Sequence, residues 1–320
     1  MTALATRFHV GAGTDVGPIS VFPIWSQQRS DTKYTTTAPV GLAINELDDA
    51  SVGTMTVSNQ SKATVLIPEG TILYGGLQTR VLTADVLLQA GQRDLLDVRC
   101  VEQGRWGSKV KTAFAGRAPL NVLGALRGLC PESRYPQRAE QGDVWRRVHR
   151  YEMTFGLRST SSLESINSLN LDDRLLSMDE AIDQTNDRNT QVTAEIRKEL
   201  RKLATNPLPG QNGVMIGLSG HPVLFEVFSN EQAFKQQIGA ILDAIALDAP
   251  HATGERTPSR RAIRFAECIM DQAFAVSDFS PALLTGSSEI LNARSLFHND
   301  ERDVLHTLAV NARHELVLAA

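Results

Sequence analysis

Five residues lie close enough in the chain, and close enough to glycine, to form a site: Gln78, Arg80, Glu102, Arg105 and Trp106. Gln78 and Arg80 follow the pair Gly75-Gly76, and Gly104 separates Glu102 from Arg105 and Trp106. Residues two apart on an extended strand share a face, so Gln78 projects with Arg80, and Glu102 with Cys100. If the two strands are neighbours, Arg80 and Glu102 can meet at the end marked by Gly75, Gly76 and Gly104, where missing side chains leave room for a ligand. The guanidinium groups of Arg80 and Arg105 would then fork onto phosphate or carboxylate, and Gln78 would read a polar edge. Trp106 would stack on a ring, and Glu102 would accept hydrogen bonds or act as a catalytic base. The same residue types also suit a buried Arg–Glu network that fastens two strand ends, with Trp106 as a core plug. Both readings stand open at this level.

Other chemistries find less support. The seven histidines show no HxH or HExxH spacing, so no metal site is expected. Cys100, Cys130 and Cys268 are odd in number and scattered, which argues against a disulfide framework or a CxxC site. Cys100 lies in an apolar strand pattern and reads as core, because a reactive thiolate needs an exposed cationic setting. Gly104–Lys109 lacks the phosphate-loop spacing, and Ser219 is not framed as a nucleophile elbow. The glycine-rich run Gly11–Gly17 imitates a dinucleotide fingerprint, but Pro18 and a β-branched run follow where a helix should open. No cofactor is expected.

The elements that must hold the five residues in place are strands. Arg7–Val10, Pro18–Trp25, Gly53–Val57, Val65–Ile67, Ile72–Tyr74, Val81–Leu88 and Leu95–Trp106 read as short strands, with Pro68-Glu69-Gly70 a tight turn between two of them. Beyond Trp106 the periodicity becomes helical. Pro119–Leu129 carries Leu120, Leu123 and Leu126 at three-residue spacing, and Asp143 can cap a helix bearing Trp145 and Val148. Ser161 and Glu164 form a capping box, and Met178–Leu203 reads as one long helix with a narrow apolar stripe through Ile182, Val192, Ile196 and Leu203. Gly213–Leu218 and Val223–Phe228 flank a hairpin turn, Glu231–Leu247 and Arg260–Phe274 read as helices, and Ser288–Phe297 with Asp303–Val310 make a last hairpin. Strands at both ends with helices between predict an α+β fold with an antiparallel β-rich core, sandwich or barrel-like, and helices packed outside. The expected organisation is a single domain over 1–320, with a β-rich part at 1–118, a helical part at 119–210, and hairpins, helix and C-terminal strands at 211–320.

The segments GGLQTR and RCVEQGRW carry a resemblance. They are similar to the core of the ADP-ribosylglycohydrolase and rhodanese-phosphatase associated domain family. Cys100, Val101, Glu102, Gly104, Arg105 and Trp106 fit its second motif fully. Gly70, Gly75, Gln78 and Arg80 fit the first, whereas Thr71 and Ile72 stand where acidic residues are expected, and Leu77 and Thr79 replace a Lys and an Asn. A weaker likeness runs through Gly213–Phe228 into the C-terminal strands. The resemblance brings no established activity; it implies a setting in ADP-ribose and NAD metabolism.

Composition bounds the remaining choices. A 320-residue chain with 42% hydrophobic and 21% charged residues can bury a substantial core. No stretch reads as a signal peptide or membrane span, so the expected location is the cytoplasm with no membrane partner. A net charge of −4 makes nucleic acid an unlikely partner, yet Asp97–Arg158 holds twelve Lys and Arg against six acids. Such a local positive field can gather an anionic, nucleotide-like small molecule, or it can be neutralised by acids on neighbouring segments. Two functions from different classes follow. One is binding, with or without processing, of such an anion, with Gln78, Arg80, Arg105, Trp106, Gly75 and Gly76 as ligand residues and Glu102 as the catalytic group. The other is a non-enzymatic interaction module, homodimeric through the long helix. Whether the chain is an enzyme is left open by its sequence.

Overall fold

The computed structural model describes residues 2–3, 6–27, 30–47, 51–103, 110–129, 139–157, 163–169, 179–277, 280, 282–298 and 303–318, without the side chains of residues 2, 3, 110 and 165. It is an α+β fold built on antiparallel sheets, as the strand and helix periodicities imply. Its contacts gather into two compact units that cut across the expected parts 1–118, 119–210 and 211–320. One comprises Met1–Lys33, Glu199–Leu242 and His251–Leu318, and the other Tyr34–Lys198 with Asp243–Pro250.

In the first unit, Ile19–Ser26 pairs with Gly213–Leu218, far away in sequence, and Gly213–Leu218 pairs with His221–Phe228. Val304–Asn311, Leu291–Phe297, Leu283–Ser287 and Ala273–Val276 continue the sheet to Thr2–Ala3, and Phe8–Val10 closes the other side on Ile19–Ser26. The two edge strands, Thr2–Ala3 and Phe8–Val10, are successive in the chain. Four intervening residues hold the edges within about 18 Å, which bends the sheet toward a barrel-like form. The helix Ser259–Met270 repeats Ala262, Phe265, Ala266 and Ile269 at i, i+3, i+4 and i+7. That stripe is buried against Phe22, Ile24, Met215, Phe225 and Val227 of the sheet. The sequence reading carried this helix on to Phe274. The chain instead leaves the helix at Asp271, and Phe274 is a buried strand residue opposite Thr2. Phe274 keeps apolar helical spacing with Met270, so periodicity could not separate the two elements.

The second unit holds the strands of the two motif segments. Val110–Arg117, Thr71–Gly76, Arg80–Leu82, Arg93–Cys100, Thr54–Asn59 and Leu42–Asn45 form a six-stranded antiparallel sheet. Val86–Leu88, Thr64–Ile67 and Tyr34–Thr35 form a three-stranded sheet whose last pairing is parallel. Leu73, Leu82, Leu96 and Val98 from the larger sheet share a core with Val65, Ile67 and Leu88 from the smaller. The expected run Val81–Leu88 is therefore two strands in two sheets. The Thr83 amide still donates to the Asp97 carbonyl, and two residues on the Asp85 carboxylate accepts the Glu69 amide at 2.7 Å, at the point where the chain passes from one sheet to the other.

Helices Leu120–Leu126, Gln141–Phe155, Leu163–Ser168 and Glu180–Thr205 follow. Asp143 lies inside the first turn of the second of these, which starts at Gln141 after Glu140, so it is not the N-cap. Its carboxylate pairs with Arg146 instead. Ser161 of the expected capping box lies outside the described residues. The stripe of the long helix divides: Ile182 and Val192 are exposed, whereas Ile196 and Leu200 are buried.

Candidate functional site

The motif segments meet as strands. Arg80–Leu82 pairs with Arg93–Cys100 so that Arg80 faces Cys100 across the ladder, and the Val101 amide donates to the Thr79 carbonyl at 3.0 Å. The neighbour relation read from the two motifs is thus present, but the ion pair is a different one. Arg80 is fully buried, and its Nη1 donates to Glu46 Oε1 at 2.7 Å rather than to Glu102. The rest of the guanidinium is spent on backbone carbonyls: Gln78 at 3.3 Å, Val52 at 3.2 Å and Ser51 at 3.4 Å. Glu46 also accepts the Leu77 amide at 2.9 Å. Its role was invisible in sequence because it stands thirty-four residues before Arg80 in a segment without motif character.

Glu102 is buried at 3% exposure and accepts the Thr79 amide at 3.0 Å through Oε2, so it locks one strand end to the other. The Cys100 thiol is buried beside it and donates to the Glu102 carbonyl. Burial pushes that thiol up from its ordinary range, which fits a core residue and not a nucleophile. The glycines are explained by protein rather than by ligand. A Cβ on Gly75 would lie 2.7 Å from the Lys111 carbonyl oxygen, and one on Gly76 would lie 2.8 Å from Glu46 Oε1. The space expected for a ligand beside the pair is therefore filled by the adjoining strand and the Glu46 carboxylate. What remains is a cavity of about 10 Å³ lined by Gly75, Gly76, Gln78, Thr79 and Glu102, among others. Gly104, Arg105 and Trp106 lie outside the described residues.

A much larger cleft, of about 730 Å³, opens in the first unit. Its floor is one face of the helix Ser259–Met270, where Arg261, Arg264, Phe265 and Cys268 follow one another at i, i+3, i+4 and i+7. This is the stripe adjacent to the one buried in the core, so a single helix presents apolar side chains to the sheet and cations to the cleft. The hairpin turn Ser219-Gly220 brings His221 and Pro222 to one wall. Ser219 and Gly220 both have positive φ, 49° and 75°, as a tight two-residue hairpin turn requires. Asn311, which ends the strand Val304–Asn311, forms another wall with Arg313 and His314 just past it.

Hydrogen bonds fix these walls. Arg261 Nη1 donates to the Gly220 carbonyl at 2.6 Å and lies 3.5 Å from His221 Nε2. The Thr253 amide donates to Ser219 Oγ at 3.0 Å, and Asn311 Nδ2 donates to the Pro222 carbonyl at 2.9 Å. His314 is buried, its ring 6.4 Å from that of His221. Its Nδ1 accepts the Leu316 amide at 3.2 Å, and the ring also bonds to the Leu218 backbone. Burial lowers the His314 pKa, partly offset by that Leu218 bond and by Glu315. These bonds hold the His314 ring in place as a wall of the cleft. Arg313 pairs with Glu289 at the surface. Among the described residues Arg264 has no hydrogen-bond or ion-pair partner, so it is the cation most available to a ligand.

Sequence reasoning passed over this cleft. The one signal was the stripe Arg261, Arg264, Phe265 and Cys268, which is legible only once the helix is known to bury its other face.

The family now follows from comparison as well as from the motif strands. The model of the ARG and Rhodanese-Phosphatase-superfamily-associated Protein domain matches residues 7–306, and the chain belongs to that family. Its name records an association with ARG and rhodanese-phosphatase proteins. Searches of curated proteins and of solved structures give no match to the chain.

Proposed function

We propose that this protein binds a nucleotide-like anionic small molecule, in a setting of ADP-ribose and NAD metabolism, and that the molecule occupies the cleft over the helix Ser259–Met270. The observation that carries the reading is the uncommitted guanidinium of Arg264 inside a cleft of about 730 Å³, flanked by Arg261 and Arg313. That volume lies in the range of small-molecule sites, which pair a mostly apolar lining with a few placed polar groups. Phe265, Ile290 and Pro222 supply apolar surface, and the guanidinium groups supply planar forks for phosphate or carboxylate. Glu255 and Glu315 at the same cleft can accept hydrogen bonds from sugar hydroxyls.

The cluster around Gln78, Arg80 and Glu102 has, in this reading, a different part. Arg80 spends its donors on Glu46 and three carbonyls, which favours the fastening network over an anion pocket. Arg105 and Trp106 stay with that cluster as proposed rim residues. A thermal-shift panel of ADP-ribose, NAD, AMP and inorganic phosphate tests the reading. A ligand at 100 times its dissociation constant adds about 2.7 kcal/mol to stability. Arg264→Ala should weaken binding by about ten- to a hundredfold, the loss of one charge-assisted hydrogen-bonding group. A panel in which no compound shifts the melting temperature would contradict the proposal.

A further inference from the structure

Building on the anion reading of the cleft, we infer that Glu255 selects the ligand there: it reads the free 2′- and 3′-hydroxyls of a ribonucleotide and turns away a phosphate in their place. An acid is out of keeping with a site that gathers negative charge, because it opposes the attraction of Arg261, Arg264 and Arg313. Its backbone is held in place. The Glu255 carbonyl accepts the Gly220 amide at 3.0 Å. On either side of it, the Thr253 amide donates to Ser219 Oγ and the Thr257 amide to Ser20 Oγ, both at 3.0 Å. The segment Thr253–Thr257 is thus strapped down at alternate residues. With no side chain on Gly220, the carboxylate comes close over the hairpin turn. A Cβ on Gly220 would lie 2.9 Å from Glu255 Oε2 and 3.2 Å from Arg261 Nη1. The two charged groups share that face of the turn without forming an ion pair, and among the described residues the Glu255 carboxylate makes no hydrogen bond.

The partner of such a carboxylate follows from its chemistry. Ionised, it accepts hydrogen bonds and donates none, so it favours hydroxyl groups and repels phosphate. Its two oxygens suit two adjacent hydroxyls. In nucleotide sites an acid beside the ribose bonds the 2′-hydroxyl, whereas an arginine in that place accommodates a 2′-phosphate. Both residue types stand at the Gly220 turn, with the acid open to a ligand and Arg261 anchored to the Gly220 carbonyl. Arg264 follows Arg261 by three residues, about 4.5 Å along the helix axis. A nucleotide whose phosphate sits on Arg264 can therefore set its sugar over the turn, hydroxyls toward Glu255. The same acid that costs some attraction for phosphate thereby distinguishes a ribonucleotide from inorganic phosphate and from a nucleotide phosphorylated on the sugar.

The test is calorimetric titration of AMP, IMP, 2′-deoxy-AMP and adenosine 2′,5′-bisphosphate into the full chain, wild type and Glu255→Ala, at one fixed ionic strength. AMP should bind wild type about ten- to a hundredfold more tightly than 2′-deoxy-AMP, the worth of one hydrogen bond to a charged group, and IMP should match AMP. The bisphosphate should bind wild type more weakly than AMP. Glu255→Ala should reverse that order, because the added phosphate then meets Arg261 unopposed. The variant keeps the bond to the Gly220 amide, which the backbone makes, so its fold does not rest on the carboxylate removed. Equal affinities of wild type for AMP and 2′-deoxy-AMP would overturn the inference and leave the anion reading of the cleft intact. A large loss from AMP to IMP, with none to 2′-deoxy-AMP, would overturn it too, by giving Glu255 to the amino group of the base. If AMP fails to bind while ADP-ribose raises the melting temperature, the role of Glu255 falls and the anion reading stands; if no compound binds, both fall.

Discussion

Asp248 should make the stability of the protein depend on pH in a direction opposite to that of most carboxylates. The side chain is fully buried, with Oδ1 accepting the Tyr151 hydroxyl at 2.6 Å and Oδ2 accepting the Leu120 amide at 3.0 Å. Those two bonds and the charge of Arg150 favour the ionised form, but burial outweighs them and raises the pKa from 3.8 to about 7. A carboxyl whose folded pKa lies above its unfolded value binds more protons when folded. Its contribution to stability is therefore fully present below about pH 4 and is lost as pH rises through 7. At 1.36 kcal/mol for each pH unit, the rise from 3.8 to about 7 corresponds to about 4 kcal/mol across that window. Asp248→Asn retains an oxygen for the Leu120 amide and offers an N–H to the Tyr151 oxygen, and it carries no charge. Urea unfolding of both proteins from pH 4.5 to 8.5 should give a difference curve in which the variant gains on wild type as pH rises, then levels above pH 7. Parallel curves for the two proteins would refute the argument that Asp248 is the carboxyl forced to ionise in the interior.

Other consequences can be checked with single substitutions. Arg127 and Glu69 form a fully buried two-point ion pair, both contacts at 2.9 Å. Glu69→Gln should cost about 3–5 kcal/mol in chemical denaturation, because it removes the buried carboxylate charge that faces the Arg127 guanidinium. Gly217 has no room for a side chain, since a Cβ there would lie 2.5 Å from Thr257 Cβ. Gly217→Ala should destabilise by about 1–3 kcal/mol, and Thr257→Ala in the same chain should recover much of it. Ile182 and Val192 stand exposed on the long helix, at 49% and 37%. If they seat a second copy of the chain, light scattering should show a dimer that Ile182→Asp with Val192→Asp converts to monomer; a wild-type monomer at high concentration would remove the homodimer reading.

Much of the fold was legible because period and turn chemistry are local. The hairpin over Gly213–Phe228 announces itself through apolar alternation around Ser219-Gly220, and the Glu231–Ala246 helix through Phe234, Ile238, Ile241 and Leu242. What local signals could not supply was partnership at a distance. The pairing of Ile19–Ser26 with Gly213–Leu218 joins segments almost two hundred residues apart, and it draws the chain's beginning out of the expected 1–118 part. Val110–Arg117 escaped notice because Lys111, Thr112, Ala113 and Gly116 give neither a β-branched run nor a clean alternation. The motif strands were found and rightly set side by side, yet Glu46, which takes the Arg80 charge, carries no mark in sequence. The cleft was missed for a related reason: its residues come from a hairpin turn, a helix face and a chain segment past the last strand, each ordinary by itself.

The central claim is that an anionic ligand occupies the cleft beside Arg264, and Cys268 provides the most direct probe of it. Cys268 is half-buried and lines that cleft one helical turn from Arg264, whereas Cys100 is buried in the other unit and serves as an internal reference. Alkylation by iodoacetamide, followed peptide by peptide in mass spectrometry, should be slowed at Cys268 by ADP-ribose or another anion that stabilises the protein. The protection should follow the binding isotherm and weaken in Arg264→Ala. A compound that raises the melting temperature while Cys268 reacts at its unliganded rate would contradict the account, because the ligand would then be bound elsewhere.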